Sequence, residues 1–404
     1  MSEILPPITF NPRIASMQPS ATLAMSGRAK ELRREGHPVI ALSAGEPDFD
    51  TPAPIAEAGI QAIREGFTHY TQNQGMVDLR ERISRKFERD NGLAYAPGQV
   101  LCSNGAKQSV ALAVAVLSGD GDEVLIPAPY WVSYPEMARF AGATPVILPT
   151  GVDTDYRITP TMLEDAITDR TRLLIHCSPS NPTGSVYPPA EAEALAEVLR
   201  RYEQVYIISD EIYEHVIYDA EHVSFATLPG MKERTITING FSKCFAMTGW
   251  RLGYMAGPSE IVREAAKVQS QFTSAPSSIT QRAGIAALDM DFAPIQAMVE
   301  AFRQRRDYVL ARLAAIDGVA CPKPEGAFYL FPQVSAYYGT TAPSGRTIAD
   351  SQDLCFYLLE EHNVALVPGH AFGGPDGVRL SYAASMNDLE EALNRIEAGL
   401  AALR

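Results

Sequence analysis

The stretch from Asn239 to Tyr254, NGFSKCFAMTGWRLGY, sets Lys243 between Ser242 and a short apolar run, with Arg251 further on and Gly240, Gly249 and Gly253 as punctuation. A lysine in such company is poorly solvated. Partial burial disfavours its ammonium form and lowers its pKa, leaving an amine able to attack an aldehyde. The competing reading is a surface lysine at a loop–helix junction. Arg251 and the glycines weigh against it, because they supply a second cation and a close backbone approach suited to an anion such as phosphate. A nucleophilic lysine beside a phosphate site points to pyridoxal phosphate, held covalently as a Schiff base.

Other stretches offer chemistry of the same kind. Ser103-Asn104-Gly105-Ala106-Lys107 ends an apolar run and opens a helical one, and helix N-terminal amides favour phosphate. The G-x-x-x-x-G-K spacing of a nucleotide loop is missing. No strand runs into G-x-G-x-x-G either, which speaks against a nicotinamide dehydrogenase. Asp210 follows VYIIS directly. It is either the N-cap of a helix over EIYEH or the partner of a pyridinium nitrogen, where a carboxylate keeps the ring electron-withdrawing. Tyr213 either turns its hydroxyl to the same ring or packs in the core. In SPSNPTG, Asn181 precedes Pro182, a candidate cis bond, and its amide could donate to a phenolate-like oxygen. Trp131, in APYWVSYP, either stacks on a flat cofactor or fills the core. Arg379, in GVRLSYA, offers a fork to a carboxylate or makes a surface ion pair.

The elements that would position these groups follow from the pattern of the chain. Between residues 98 and 257 short apolar runs alternate with helical segments, with strands expected at 100–103, 123–126, 144–148, 172–177, 205–209, 235–239 and 254–256. That alternation predicts an α/β fold, a mainly parallel sheet between helices, with ligands at the carboxyl ends of the strands. The polar stretches at Asn104, Ser178, Asp210 and Ser242 fall at those ends. Earlier, helices are expected at 20–35, 54–65 and 77–91, separated by the shaped loop SAGEPDFDTP and the polar loop around Tyr70. Later, a charged helix at 295–315, period-two alternation in GAFYLFP and VALVPG, and a closing helix at 389–403 indicate a smaller α+β domain. The expected division is an arm and part of the small domain at 1–50, a large cofactor-binding domain at 51–293, and a small domain at 294–404.

Length and composition set limits. A chain of 404 residues is long enough for one large domain and a companion. Its net charge of -14, with no basic run, argues against nucleic acid as a partner. No apolar run is long enough to span a membrane. The opening MSEILPPITFNP, with Glu3 and early prolines, is unlike a signal peptide. Five scattered cysteines fit a reducing, cytoplasmic compartment and offer no zinc spacing. No metal is expected: Glu211 and His215, four apart on the expected helix, lack a third ligand.

Taken together, SNGAKQ, PYWVSYPE, SPSNPTG, SDEIYEH, FSKCFAMTGWRLGY and VRLSYA resemble the class I and II aminotransferases, of the aspartate aminotransferase fold, from about Ser20 to the C-terminus. Within them the chain is similar to the bacterial and plastid branch that acts on aspartate and often prephenate. The resemblance implies a seven-stranded sheet and a ping-pong transfer of an amino group between aspartate or glutamate and 2-oxo acids. It implies that Lys243 carries the cofactor and moves the proton, and that Asp210 holds the pyridine nitrogen. Asn181 and Tyr213 would contact the phenolic oxygen and Trp131 would stack on the ring. Gly105, Ala106, Lys107, Ser242 and Arg251 would hold the phosphate, with Tyr70 reaching in from the second subunit of a homodimer. The substrate carboxylate would meet Arg379, Asn181, Trp131 and the backbone of Gly45. One departure stands out. The branch commonly has a lysine before Pro-Ser near the N-terminus, whereas MQPSAT places neutral Gln18 there, leaving Thr22 and Lys107 for a second carboxylate. Carbon–sulfur lyases and aminotransferases for aromatic or neutral amino acids share most of these motifs. Regulators with an aminotransferase-like sensor would need a DNA-binding domain before Ser20.

Overall fold

The computed structural model describes residues 8–403, so the first seven residues of the expected arm lie outside it. After a short strand β1 (Ile40–Ala41) come seven strands: β2 (Val100–Ser103), β3 (Glu123–Ala128), β4 (Thr144–Pro149), β5 (Thr171–Cys177), β6 (Tyr206–Asp210), β7 (Thr235–Gly240) and β8 (Gly253–Ala256). They form one sheet in the order β2-β8-β7-β6-β5-β3-β4. Only β8 runs antiparallel to its neighbours; the other pairings are parallel. Each strand lies within a residue or two of its expected bounds.

Adjacent residues on these strands face different cores. Val124 and Ile126 join Leu101, Ile208 and Ile238 on one face, while Leu125 joins Leu174 and Ile207 on the other. Helices Ala106–Leu117, Tyr134–Ala141 and Ser259–Phe272 cover the first face; Pro160–Ala166 and Pro189–Arg200 cover the second. Burial on both sides is why these strands read as continuous apolar runs. The helix expected at 77–91 keeps its bounds, because Gly92 turns left-handed at φ 66° and ends it.

The C-terminal elements form a second, smaller arrangement. Strands β9 (Tyr329–Leu330), β10 (Val364–Ala365), β11 (Val367–Pro368) and β12 (Val378–Ser381) follow the long helix Ala293–Ala314. The order β11-β12-β9 is antiparallel, and β1 pairs in parallel with β10. The N-terminal strand therefore completes the C-terminal part of the chain.

One expected element is absent. EIYEH does not form a helix; Ile212–His215 make turns. Asp210 does accept the Ile212 amide, at 3.3 Å, as a cap would. Both glutamates, however, are turned inward. Glu211 takes Ser209 at 2.7 Å, Ser224 at 2.9 Å and the Phe225 amide at 3.2 Å. Glu214 takes Lys86 and Asn91. A continued helix would have pulled at least one of these charges from its partners. After Trp131 a helix starts at Tyr134, with Pro135 in its first turn, and the arm includes one helical turn at Pro12–Ala15.

Candidate active site

The site lies where the carboxyl ends of β2, β5, β6 and β7 come together. Loop 43–51 and loop 241–251 are stitched face to face there. Thr51 donates to the Ala246 carbonyl at 2.8 Å, Trp250 Nε1 donates to Thr51 at 3.0 Å, and Thr248 donates to Glu46 at 2.9 Å. Between them the Lys243 ammonium donates to the carbonyl of Gly45. Its Nζ stands 5.8 Å from the ring centres of Tyr213 and Phe328. Burial, with Arg379 and Arg251 repelling like charge, lowers the Lys243 pKa to about 8, against a smaller pull from Glu46 and Asp210.

Asp210 ends β6 and is 4% exposed. Its Oδ2 accepts the Tyr134 hydroxyl at 2.7 Å. Burial lifts its pKa to about 6, opposed by the Tyr134 and Ile212 hydrogen bonds. Tyr213 is buried, and its hydroxyl shares a hydrogen bond of 2.9 Å with Tyr329. Arg379, on β12 and 2% exposed, donates from Nη1 to Asn181 Oδ1 at 3.1 Å and from Nη2 to the Ser43 carbonyl at 2.7 Å. Its Nε has no partner among the described residues. A cation so placed, with the ring of Tyr329 at 4.6 Å and that of Phe372 at 5.0 Å, keeps donor capacity for an incoming carboxylate. Asn181–Pro182 is cis, as are Ser178–Pro179 and Ala128–Pro129.

An anion cradle adjoins the lysine. Gly105 precedes the helix Ala106–Leu117 at φ 83°, and no side chain caps that helix. A Cβ on Gly105 would fall 2.9 Å from Cζ of Arg251, and one on Gly253 would strike the amide of Ala106. The absence of two side chains thus lets a guanidinium and a helix N-terminus converge. Arg251 itself sits at φ 56°, an uncommon backbone for a non-glycine, and is anchored by the Thr248 and Asn104 carbonyls at 2.9 and 3.2 Å. Ser242, the residue before Lys243, is buried. Lys107 lies over the Trp131 ring at 4.9 Å, its pKa lowered by burial and by Arg251.

The fold thus gathers Gly45, Asn181, Asp210, Tyr213, Lys243 and Arg379 in one cluster, with Gly105, Ala106, Lys107, Ser242 and Arg251 in the adjoining cradle. Tyr70 is not part of it: the residue is 99% exposed and lies with Pro276 and Ser277 on an outer pocket. Gln18 is exposed, and its backbone N–H donates to Glu136 at 3.0 Å. Tyr134, Tyr329 and Ser43 join the site without having been singled out in the sequence. Every residue of GAFYLFP is buried, so alternation there gave no signal for Tyr329. Glu211, Glu214 and His222 bring three donor atoms within 4.8 Å of one another. The Lys86 ammonium already occupies Glu214.

These donors fit a phosphorylated pyridine aldehyde and an amino acid: an amine of lowered pKa, a buried carboxylate, an uncapped helix end beside a guanidinium, and a buried guanidinium whose Nε has no partner among the described residues. A lysine-nucleophile enzyme on an α/β scaffold is the class this describes. The family model for aminotransferase class I and II matches residues 37–396. The chain is 54% identical to the bifunctional aspartate aminotransferase and glutamate/aspartate-prephenate aminotransferase of Petunia hybrida, covering all of this chain and 85% of that one. It superposes on the aspartate aminotransferase of Rhizobium meliloti with a TM-score of 0.95 at 45% identity, over 98% of this chain and all of the other. The aspartate aminotransferase of Thermus thermophilus with maleate gives a TM-score of 0.91 at 42% identity, over 97% of this chain and all of the other. The chain belongs to the class I and II aminotransferases, a family dependent on pyridoxal phosphate.

Proposed function

We propose that this aminotransferase moves an amino group between aspartate or glutamate and 2-oxo acids, with prephenate among the acceptors. The observation that carries the reading is the Lys243 amine held on the Gly45 carbonyl beside a buried Arg379 whose Nε is free. An amine and a carboxylate receptor close enough for Arg379 to lower the Lys243 pKa suit an α-amino acid. Support for the substrates comes from the relatives named for aspartate and prephenate, and from the one solved with maleate, a dicarboxylate.

Bound pyridoxal phosphate supplies the aldehyde and a ring that withdraws electrons from the substrate α-carbon. The protein does the rest. Arg379 and Asn181 orient the carboxylate, Asp210 holds a proton on the ring nitrogen, and Lys243 carries a proton from one carbon to another as a general base and acid. Asn181 and Tyr213 would receive the phenolic oxygen. Trp131 would cover the ring face, and Gly105, Ala106, Lys107, Ser242 and Arg251 would bind the phosphate.

A homodimer completes the reading. A pocket of about 670 Å³ opens outward from Arg251, lined by Asn104, Trp250, Ser277 and Thr280. Tyr70, exposed and without a partner of its own among the described residues, is the group to close such a pocket on a second copy. A cytoplasmic location and the division at residues 50 and 293 belong to the same proposal. The five cysteines are free, and no helix among the described residues is long and apolar enough to cross a membrane.

The test is borohydride reduction of the holoenzyme followed by peptide mapping, with a panel of aspartate, glutamate, alanine and tyrosine against 2-oxoglutarate, oxaloacetate and prephenate. The adduct is expected on Lys243, with activity on acidic donors and on prephenate. An adduct on Lys107 or Lys267 would overturn the site. Release of ammonia and pyruvate in place of amino transfer would favour a carbon–sulfur lyase.

A further inference from the structure

Tyr134 opens the helix Tyr134–Ala141 and is 2% exposed. Its phenol donates to Asp210 Oδ2 at 2.7 Å, and among the described residues no other side chain donates to that carboxylate. The same ring meets Trp131 edge-on, with centroids 5.3 Å apart at 87°. Tyr134 also lines a small cavity of about 20 Å³, walled by His176, Cys177, Asn181 and Tyr187 among others. One side chain therefore touches both the group assigned to the ring nitrogen and the group assigned to the ring face. A plain core tyrosine would need only one acceptor, and carbonyl oxygens would serve.

We propose, on the strength of the reading of Asp210 above, that Tyr134 is a positioning residue that keeps the Asp210 carboxylate ionised and aimed at the ring nitrogen while fixing the plane of Trp131. The groups facing Asp210 bear this out. Burial is the largest influence raising its pKa, and the Tyr134 hydrogen bond is the largest influence lowering it again. Glu211, the next residue, pushes it up, and Lys243, beyond β7, pulls it down. Cys177, at the end of β5, keeps its thiol protonated through burial, with a pKa of about 12. His176 on the same strand is held neutral by burial, with a pKa of about 3. Tyr134 thus stands as the closest neutral donor in a wall with little other charge. Its own phenol is pushed upward by burial and by Asp210, so it remains a donor across the working range.

The test uses the full-length apoenzyme titrated with pyridoxal phosphate between pH 5.5 and 8.5, for wild type, Tyr134→Phe, Asp210→Asn and the double variant. Tyr134→Phe keeps the ring against Trp131, and a thermal melt checks that the fold survives. The expected result at pH 6.5 is a Kd about tenfold weaker for Tyr134→Phe, equivalent to about 1.4 kcal/mol. The gap should narrow as pH rises, because the carboxylate then ionises without help. In the Asp210→Asn background, Tyr134→Phe should cost nothing more, since the two act as one unit. A Kd and pH dependence equal to wild type, or an additive loss in the double variant, would overturn the proposal. If Asp210→Asn itself binds and turns over like wild type, the reading of Asp210 falls instead. If Asp210→Asn fails while Tyr134→Phe is silent, only the role of Tyr134 falls.

Discussion

Replacing Gly105 with alanine asks a backbone at φ 83° and ψ 157° to carry a side chain in a region that glycine alone occupies freely. Two costs can be separated. The conformation costs about 1–3 kcal/mol. The new Cβ, 2.9 Å from Cζ of Arg251, also displaces the guanidinium from the Asn104 and Thr248 carbonyls. Each hydrogen bond from a charged group contributes about 1.5–3 kcal/mol when buried and less at an exposed residue such as Arg251. Stability should therefore fall by about 2–4 kcal/mol. Cofactor affinity should fall through a different route, loss of the guanidinium from the phosphate. One charge-assisted contact of about 1.4–2.8 kcal/mol corresponds to a ten- to hundredfold weaker Kd. The assay is a spectrophotometric titration of the apoenzyme with pyridoxal phosphate and, separately, with pyridoxal. Gly105→Ala should erase most of the advantage that the phosphate ester confers and leave pyridoxal nearly unchanged. Equal loss for both ligands would mean that the substitution damages the fold generally and that the cradle argument is wrong.

Three further outcomes follow from named contacts. Because burial holds the Lys243 amine near pKa 8, cofactor incorporation by the apoenzyme should rise with pH to a midpoint near 8; a midpoint above 10 would mean that the amine is solvated. Mixing Tyr70→Phe with Lys243→Ala protomers should give hybrids with one intact and one doubly impaired site, so that activity tracks the hybrid fraction. A simple sum of the parents would refute shared sites. Gln18→Lys adds a cation at an exposed position, where solvent screens it, so kcat/KM for aspartate should rise by less than about tenfold and that for prephenate by less still; unchanged aspartate kinetics would show that position 18 does not face the substrate.

The strands were legible because burial on both faces leaves runs such as VLCS, RLLIHC and VYIIS with little choice of structure. Cofactor and carboxylate residues were legible because each sits at a strand end or in a loop too rich in glycine and proline to be regular. What escaped was chemistry fixed by distance across the fold. Tyr134 lies inside a motif whose tryptophan drew attention, and nothing local reveals that its hydroxyl ends on a carboxylate 76 residues on. Tyr329 approaches Tyr213 from the C-terminal part of the chain, a contact only tertiary structure creates. The helix expected at EIYEH failed for the same reason. Its glutamates look like an exposed helical face, but Lys86 and Asn91, supplied by a distant helix, bury one of them.

Lys243 and Asp210 are shifted in opposite directions by one cause. Burial strips water from both, so the amine falls to about 8 and the carboxyl rises to about 6. Two such groups in direct contact would move the other way, each stabilising the charge of its partner. They are kept apart instead: the Gly45 carbonyl takes the ammonium and Tyr134 takes the carboxylate. A clamped pair would be inert, since a carboxylate spent on an ammonium cannot hold a ring nitrogen, and the ammonium could not become a free amine. Arg379 adds a second control. In the free enzyme its charge repels that of Lys243 and helps lower the pKa of the amine. A substrate carboxylate docked on Arg379 cancels that repulsion, so the proton affinity of Lys243 rises when the substrate arrives. Maleate added to the apoenzyme should accordingly move the Lys243 midpoint upward, and it should do so only while Arg379 is present.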